Sequence, residues 1–325
     1  MADELIEIDG SHGEGGGQII RTALSLSAIT QKPFRISNIR AKRSNPGLQP
    51  QHLMACKAAR NICRGSFEGA EIGSKELVFH PGDIVGGKYE FDIGTAGSVC
   101  LVAQTVLPIL FHAQKASEIK IIGGTHVMKS PSYDYFERIF LPAIIAMGAR
   151  IKSQIKKSGY YPRGGGEIEI ELEPSQFHGK TEWEKSELVR VLIRISSLPV
   201  DIATREKKIF IQNNIEKVSI YEEKFDIGNA LLAWQDYRGV YALGEKGKRA
   251  EQVAQEALDE LRKEQNSDAD KHLADQLLLY GTLAEGRTMY TTSAITQHTL
   301  TNAEIIGKFR LDRKITIEGT TVSIG

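Results

Sequence analysis

The sequence predicts an α/β (α+β) chain built from three βαβαββ units, the third interrupted by a small α/β insertion. Three observations predict this. The order strand, helix, strand, helix, strand, strand recurs at a period of roughly 80–85 residues. A glycine loop, Gly15–Gly17 and then Gly94-Thr95-Ala96-Gly97, precedes the first helix of the first two units. A stretch with its own amphipathic helix, 188–269, separates the start of the third unit from its remainder. Units of this kind bury one sheet face under two helices, and clefts between them are where ligands sit.

The elements follow in order. Leu5–Ile8 reads as a strand, and Gln18–Ile29 as a helix with Ile20, Ala23 and Leu24 on one face. Pro33–Ile39 alternates as a strand, Leu48–Cys63 is helical, and Ser66–Ile72 with Glu76–His80 forms a hairpin turning at Gly73-Ser74. The second unit gives strand Tyr89–Ile93, apolar helix Ser98–His112, strand Glu118–Ile122, helix Tyr133–Met147 and strands Ile151–Lys156 and Glu167–Leu172. The third gives strand Thr181–Glu184, helix Leu273–Ala284, strand Thr288–Thr292, helix Asn302–Arg310 and strands Ile315–Ile317 and Thr321–Ile324. Within the insertion, Val189–Ile195 and Lys208–Gln212 are strand-like. Ala250, Val253, Ala254, Ala257, Leu258 and Leu261 form one helical stripe, and polar 263–270 is the exit. The expected domains are therefore 1–187 with 270–325, and 188–269. The insertion carries no chemical motif and is expected to be dispensable for the chemistry.

The 325 residues are 41% hydrophobic and 25% charged, as in ordinary globular proteins, with 41 basic and 41 acidic side chains. Zero net charge argues against a general nucleic-acid coat, though Arg35 to Arg43 forms a local basic patch. No apolar run reaches the roughly 18 residues of a membrane span. The acidic start, Asp3 and Glu4, is unlike a signal peptide. Cys56, Cys63 and Cys100 form no C-x-x-C pair and read as buried thiols in a reducing, cytoplasmic compartment. No obligate protein partner is evident.

Two N-terminal stretches carry the functional signal: Glu14-Gly15-Gly16-Gly17-Gln18-Ile19-Ile20-Arg21, and Arg40 through Gln51-His52. Glycines allow close backbone approach, helix N-termini attract anions, and arginines match phosphate bidentately. The pattern points to a phosphorylated substrate, without a Walker ending or a G-x-G-x-x-G. Arg21, Arg40 and Arg43 could alternatively form a solvated basic face. Glu14 is either a turn residue or, because a carboxylate beside a phosphate site is otherwise unfavourable, a ligand for Mg²⁺ or Mn²⁺. Asp275 could simply complement a helix dipole. Gln104, in the apolar run Val99–Leu110, needs a hydrogen-bond partner. His298 lies in a polar stretch expected to be a loop before a helix capped by Thr301-x-x-Glu304.

These two stretches, with Gly94-Thr95-Ala96-Gly97-Ser98, His272-Leu273-Ala274-Asp275-Gln276-Leu277 and Ser293-Ala294-Ile295-Thr296-Gln297-His298, resemble the RNA 3′-terminal phosphate cyclases over nearly the whole chain. The resemblance implies ATP-dependent conversion of an RNA 3′-phosphate end to a 2′,3′-cyclic phosphate. It implies His298 as the adenylylated nucleophile, with AMP passing to the RNA phosphate before the 2′-OH displaces it. It places Gln104, Pro131, Tyr135 and His272, Leu273, Ala274, Asp275 and Gln276 at ATP, with His272 stacking on adenine and Pro131 and Tyr135 bracketing it. Arg21, Arg40, Arg43, Gln51 and His52 would hold the RNA 3′-phosphate. The arginines are accordingly expected to matter more for transfer to RNA than for adenylylation. A non-catalytic RNA-binding relative acting in ribosome assembly is the alternative, and the presence of His298 discriminates against it. An enolpyruvyl transferase of similar repeat architecture would need no covalent histidine.

Overall fold

The computed structural model describes residues 5–325, so the acidic Asp3 and Glu4 lie outside the described residues. β1 (Ile6–Asp9), α1 (Gly17–Thr30), β2 (Phe34–Ser37), α2 (Pro50–Cys63), β3 (Ser66–Glu68) and β4 (Leu77–His80) make the first unit. Its sheet runs β1-β2-β4-β3, with β1 parallel to β2 and the remaining pairs antiparallel. β3 is shorter than the sequence suggests. Gly69, at φ +75°, turns the chain out of the ladder.

The second unit repeats that order as β5-β6-β8-β7. It comprises β5 (Lys88–Asp92), α3 (Val99–Phe111), β6 (Ser117–Gly123), a helical stretch, β7 (Arg150–Lys157) and β8 (Gly166–Glu173). The helical stretch joins α4 (Tyr133–Tyr135) and α5 (Leu141–Ala146) through a π turn at Phe136–Phe140. Pro142 has no N–H to continue an α ladder, and the wider turn sits immediately before it.

β9 (Arg190–Ser196), α6 (Asp201–Gln212), β10 (Lys217–Glu223), β11 (Gly228–Gln235), β12 (Arg238–Leu243) and α7 (Ala250–Glu264) follow. Their sheet is β10-β9-β11-β12, and Val191, Ile193, Phe210, Leu231 and Leu258 belong to a core of their own. Lys208–Gln212, expected as a strand, is the end of α6. Its Phe210 packs inward with Ala203, a helical spacing that a short apolar run cannot distinguish from a strand.

The chain ends with α8 (Lys271–Leu283), β13 (Thr288–Thr291), α9 (Gln297–Lys308), β14 (Ile315–Glu318) and β15 (Thr321–Ile324), in an antiparallel sheet β13-β15-β14. No strand forms at Thr181–Glu184, so the expected first strand of the third unit is not a strand. The segment lies beside β13 through Met289 N–H to the Lys180 carbonyl (2.9 Å), while the Trp183 indole takes the Met289 carbonyl (2.9 Å). A side chain therefore occupies an acceptor that a ladder would use. The overall result is a mixed α/β fold of four small sheets. α1 packs on α2, α3 and α9, and α8 packs on α9, so helices from the N-terminal, middle and C-terminal parts of the chain meet in one group.

Candidate active site

Four helices begin at one cleft. Its cavity, about 770 Å³, is lined by Gly16, Gly17 and Gln18 from the start of α1, and by Gln51 and His52 from α2. Lys271 and His272 of α8, and Thr296 and His298 at the start of α9, complete this rim. α1 starts at Gly16 without a side-chain cap, so its first N–H groups and partial positive charge are left for an anion, whereas Gln49, Asp270 and Thr296 cap α2, α8 and α9.

The glycine loop fits this junction by close approach. Gly15 takes φ +56°. A Cβ on Gly17 would collide with the His52 imidazole, and one on Gly16 would crowd Arg43 (3.2 Å). His52 accepts the Gln49 N–H at Nδ1 (3.2 Å), closing a capping box. Burial, then the charges of Arg21 and Arg40, lower its pKa to about 3, so the ring is neutral. The Arg21 guanidinium has no hydrogen-bond or ion-pair partner among the described residues, and burial lowers its pKa to about 10 while Asp275 opposes the shift. Arg40 instead folds onto the Asn45 and Gly47 carbonyls and braces its own loop.

His298 is the second residue of α9, capped by Thr296, whose side chain accepts from Thr299 N–H. The expected loop and the Thr301 capping box are therefore not observed, because Thr296 caps the helix about a turn earlier. The His298 ring is held at both nitrogens, with Nδ1 2.9 Å from Gln18 Oε1 and Nε2 2.8 Å from Glu14 Oε2. Arg43 also reaches Glu14 Oε2 (3.1 Å). Glu14 and Gln18 come from the N-terminal segment that also carries Arg21, so the residues expected on the RNA side adjoin those that hold His298. The histidine from unit three is gripped by unit one.

Of the other residues singled out from sequence, Gln104, Pro131, Tyr135, Asp275 and Gln276 line the cleft. Gln104 already has a protein partner, donating to Gln276 Oε1 (2.8 Å). Gln51 accepts Ser98 N–H (3.2 Å), tying α2 to the start of α3. Leu273 and Ala274 do not line the cleft. They are fully buried in the core, on the inward face of α8. Asp275 is raised by burial while His298, Gln18, Arg21 and Asn302 pull it back.

Lining residues outside the sequence-based assignments include Gln18, Lys129, Ser130, Lys271 and Tyr241. Gln18 follows the glycines and carried no charge signal. Tyr241 comes from β12 of the insertion and meets Tyr135 edge to face at 6.0 Å. The insertion holds this side of the cleft in two further ways. Gly239 N–H donates to Asp270 (3.1 Å), the α8 cap that also takes the Tyr135 hydroxyl (2.8 Å). Arg194 of β9 forms a buried pair with Asp134 (2.7 Å), the neighbour of Tyr135. His126 reaches the same carboxylate (2.9 Å). The insertion is therefore a wall of the cleft rather than an appendage.

No group of three or more His, Cys, Asp or Glu suited to a metal occurs among the described residues, and no helix among them is long and apolar enough to cross a membrane. The three cysteines are free and buried.

The cleft brings together four helix starts, a half-buried guanidinium without a hydrogen-bond or ion-pair partner among the described residues, and a histidine held at both nitrogens, a set of groups that can receive an anion. Comparison with known proteins gives the family: the chain belongs to the RNA 3′-terminal phosphate cyclase family, whose model matches residues 12–317. The RNA 3′-terminal phosphate cyclase of Archaeoglobus fulgidus is 44% identical over 328 residues, covering 98% of this chain and 100% of that one. That of Sulfolobus acidocaldarius is 43% identical, covering 98% of each. That of Sulfurisphaera tokodaii is 44% identical, covering 97% and 96%. Among solved structures, the enolpyruvyl transferase NikO from Streptomyces tendae aligns at a TM-score of 0.30 and 11% identity, over 64% of this chain and 38% of that one. That overlap is too slight to carry an argument.

Proposed function

We propose that this chain uses ATP to convert an RNA 3′-terminal phosphate to a 2′,3′-cyclic phosphodiester, through adenylylation of His298. The family supplies the activity, and the observation that supports its place in this cleft is the Arg21 guanidinium, half-buried and without a hydrogen-bond or ion-pair partner among the described residues, which lines the same cleft as His298. A cation drawn partly out of water, with the neighbouring Asp275 as its offsetting charge, still favours a further negative charge in contact with it. A phosphate between the helix starts supplies that charge.

The chemistry follows from the contacts. Gln18 and Glu14 hold the His298 ring at both nitrogens, and Glu14 Oε2 is placed to accept a proton from Nε2, which leaves the Nε2 lone pair for attack. The Nε2 lone pair forms a bond to the ATP α-phosphorus as the bond to pyrophosphate breaks. The RNA 3′-phosphate oxygen then takes the AMP, breaking the P–N bond. Finally the vicinal 2′-OH attacks the activated phosphate, AMP leaves, and the hydroxyl proton is lost. Closing the ring within one ribose benefits from proximity.

Among the described residues Glu14 Oε1 has no protein partner, so one carboxylate oxygen remains for a divalent cation. A single carboxylate plus phosphate oxygens suits Mg²⁺, which would neutralise polyphosphate charge. Gln104, Pro131, Tyr135, His272, Asp275 and Gln276 form the ATP side of this reading. Arg21, Arg43 and the neutral His52 form the RNA-phosphate side, with Arg40 and Gln51 bracing it. The three-unit architecture, with 188–269 inserted between 1–187 and 270–325, is supported by the shared order of the first two sheets and the separate insertion core.

The test is to supply ATP and an RNA ending in a 3′-phosphate, then repeat with a 2′-deoxy end. Cyclic product is expected from the ribose end alone. ATP consumption without cyclic product from either would overturn the proposal.

A further inference from the structure

We propose that the cleft continues outward as a track for the RNA strand leading up to the 3′-phosphate, with Tyr161 and Phe225 as base-stacking platforms. The inference rests on RNA being the substrate, and it concerns how nucleotides beyond the reacting one are held. The track begins at the phosphate side of the cleft. Gln51 there meets the loop before α3, where a Cβ on Gly97 would lie 3.1 Å from the Gln51 Cβ. Loop 160–166 packs on the same turn, since a Cβ on Gly164 would lie 2.7 Å from Ala96 Cα. The Gly159 carbonyl accepts the Thr125 and His126 N–H groups (2.9 and 3.2 Å), and His126 bridges Tyr160 in parallel. The segment running to Met128 and Lys129 therefore starts beside the one running to Tyr161, and Lys129 lines the cleft. The insertion supplies the far end. Asp226 Oδ2 accepts the Tyr160 N–H (3.1 Å), which brings Phe225 and Ile227 to the same loop.

The side chains gathered here are unlike an ordinary solvated face. Tyr161 is 79% exposed, Ile227 62%, Met128 61% and Phe225 53%. Large apolar groups left together in solvent mark a binding surface. Lys129, Arg163 and Lys224 stand among them, exposed and with no hydrogen-bond or ion-pair partner among the described residues. The intervening carboxylate, Asp226, is engaged by the Tyr160 and Ile227 N–H groups (3.1 and 2.9 Å). Free cations between exposed aromatic rings match single-stranded RNA, whose phosphates attract positive charge and whose unstacked bases pack on flat apolar partners. An apolar protein surface would cover the same rings but leave three cations unpaired, at a cost in desolvation. Every base has a stacking face, so the track responds to single-strandedness and length rather than to sequence.

The experiment measures the affinity of the full chain, by fluorescence anisotropy, for a single-stranded RNA decamer and for a dinucleotide, each ending in a 3′-phosphate. ATP is left out, so binding is read whether or not cyclisation follows. Wild type should bind the decamer roughly tenfold or more tightly than the dinucleotide. Tyr161→Ser and Phe225→Ser lie at exposed positions, where substitution costs little stability. Each should weaken decamer binding by roughly tenfold and leave the dinucleotide unchanged. Arg163→Ala should weaken the decamer too and flatten its salt dependence. A decamer with abasic upstream riboses should be insensitive to both aromatic substitutions. Unchanged decamer affinity in both aromatic variants would overturn the proposal. So would equal weakening of decamer and dinucleotide, or a wild-type self-association that the variants abolish while RNA affinity stays. If the variants weaken the decamer as stated but wild type cyclises no RNA end once ATP is added, the track stands and the assigned reaction fails.

Discussion

Replacing Arg194 with methionine tests whether the insertion is part of the cleft. Arg194 donates to both Asp134 oxygens, at 2.7 and 3.2 Å, and stacks over Tyr221 at 4.6 Å. Asp134 is 2% exposed. Its burial alone would raise the carboxyl, but His126 and then Arg194 hold it below the usual carboxylate range. Removing the arginine leaves a buried carboxylate with the His126 ring at 2.9 Å, and such a loss costs about 3–5 kcal/mol. Asp134→Asn combined with Arg194→Met removes both charges and should recover part of that cost. Urea denaturation of the two single variants and the double should therefore give a coupling energy of about 2–3 kcal/mol. Because Asp134 adjoins Tyr135, ATP binding measured by calorimetry should weaken in the single Arg194 variant. A cost below about 1 kcal/mol, the value of a surface pair, with unchanged ATP affinity, would refute the reasoning.

Other expectations follow from the same contacts. Replacing 188–269 with a Gly/Ser linker should sharply reduce ATP binding, because it removes Tyr241, Arg194 and the Gly239 N–H. A cooperatively folded truncation with wild-type affinity would show that the wall is dispensable. Arg43→Ala should slow adduct formation as well as transfer to RNA, by roughly tenfold or more in single turnover, because Arg43 shares Glu14 with His298. Normal adduct formation with failed transfer would return Arg43 to the RNA step alone. Burial pushes Glu206 up to about 7 from 4.5. With the folded pKa raised, its contribution is complete below pH 4.5 and is lost as pH rises through about 7. Glu206→Gln should remove this loss and raise stability at pH 8 by about 2–3 kcal/mol relative to wild type. Equal pH dependence of the two proteins by urea denaturation would contradict it.

Much of the frame was legible because its signals are local. Helical periodicity located α1, α2, α3, α7 and α8 within a few residues, and glycine loops marked the start of α1 and the turn before α3. Glu14, Arg21, Arg43 and His52 stand out by residue chemistry and His298 by the family resemblance, and all five line the cleft. The failures are tertiary. β10, β11 and β12 went unassigned, since their half-buried faces depend on partners far along the chain. Leu273 and Ala274 share a motif with His272 and Asp275, but helix geometry turns them to the core. Tyr241 has no local mark at all, because its place is set by how β12 docks against α4. His298 was placed in a loop because Thr301-x-x-Glu304 satisfies a capping pattern that Thr296 satisfies first.

The central claim is that His298 carries AMP. The direct measurement is incubation of the full chain with α-labelled ATP and Mg²⁺, recovery of the protein–nucleotide adduct, and mapping of the modified residue by mass spectrometry, alongside His298→Ala. An acid-labile, alkali-stable AMP on His298, absent from a folded His298→Ala protein, is the predicted result. An adduct on any other residue, or one that persists in His298→Ala, would contradict the account.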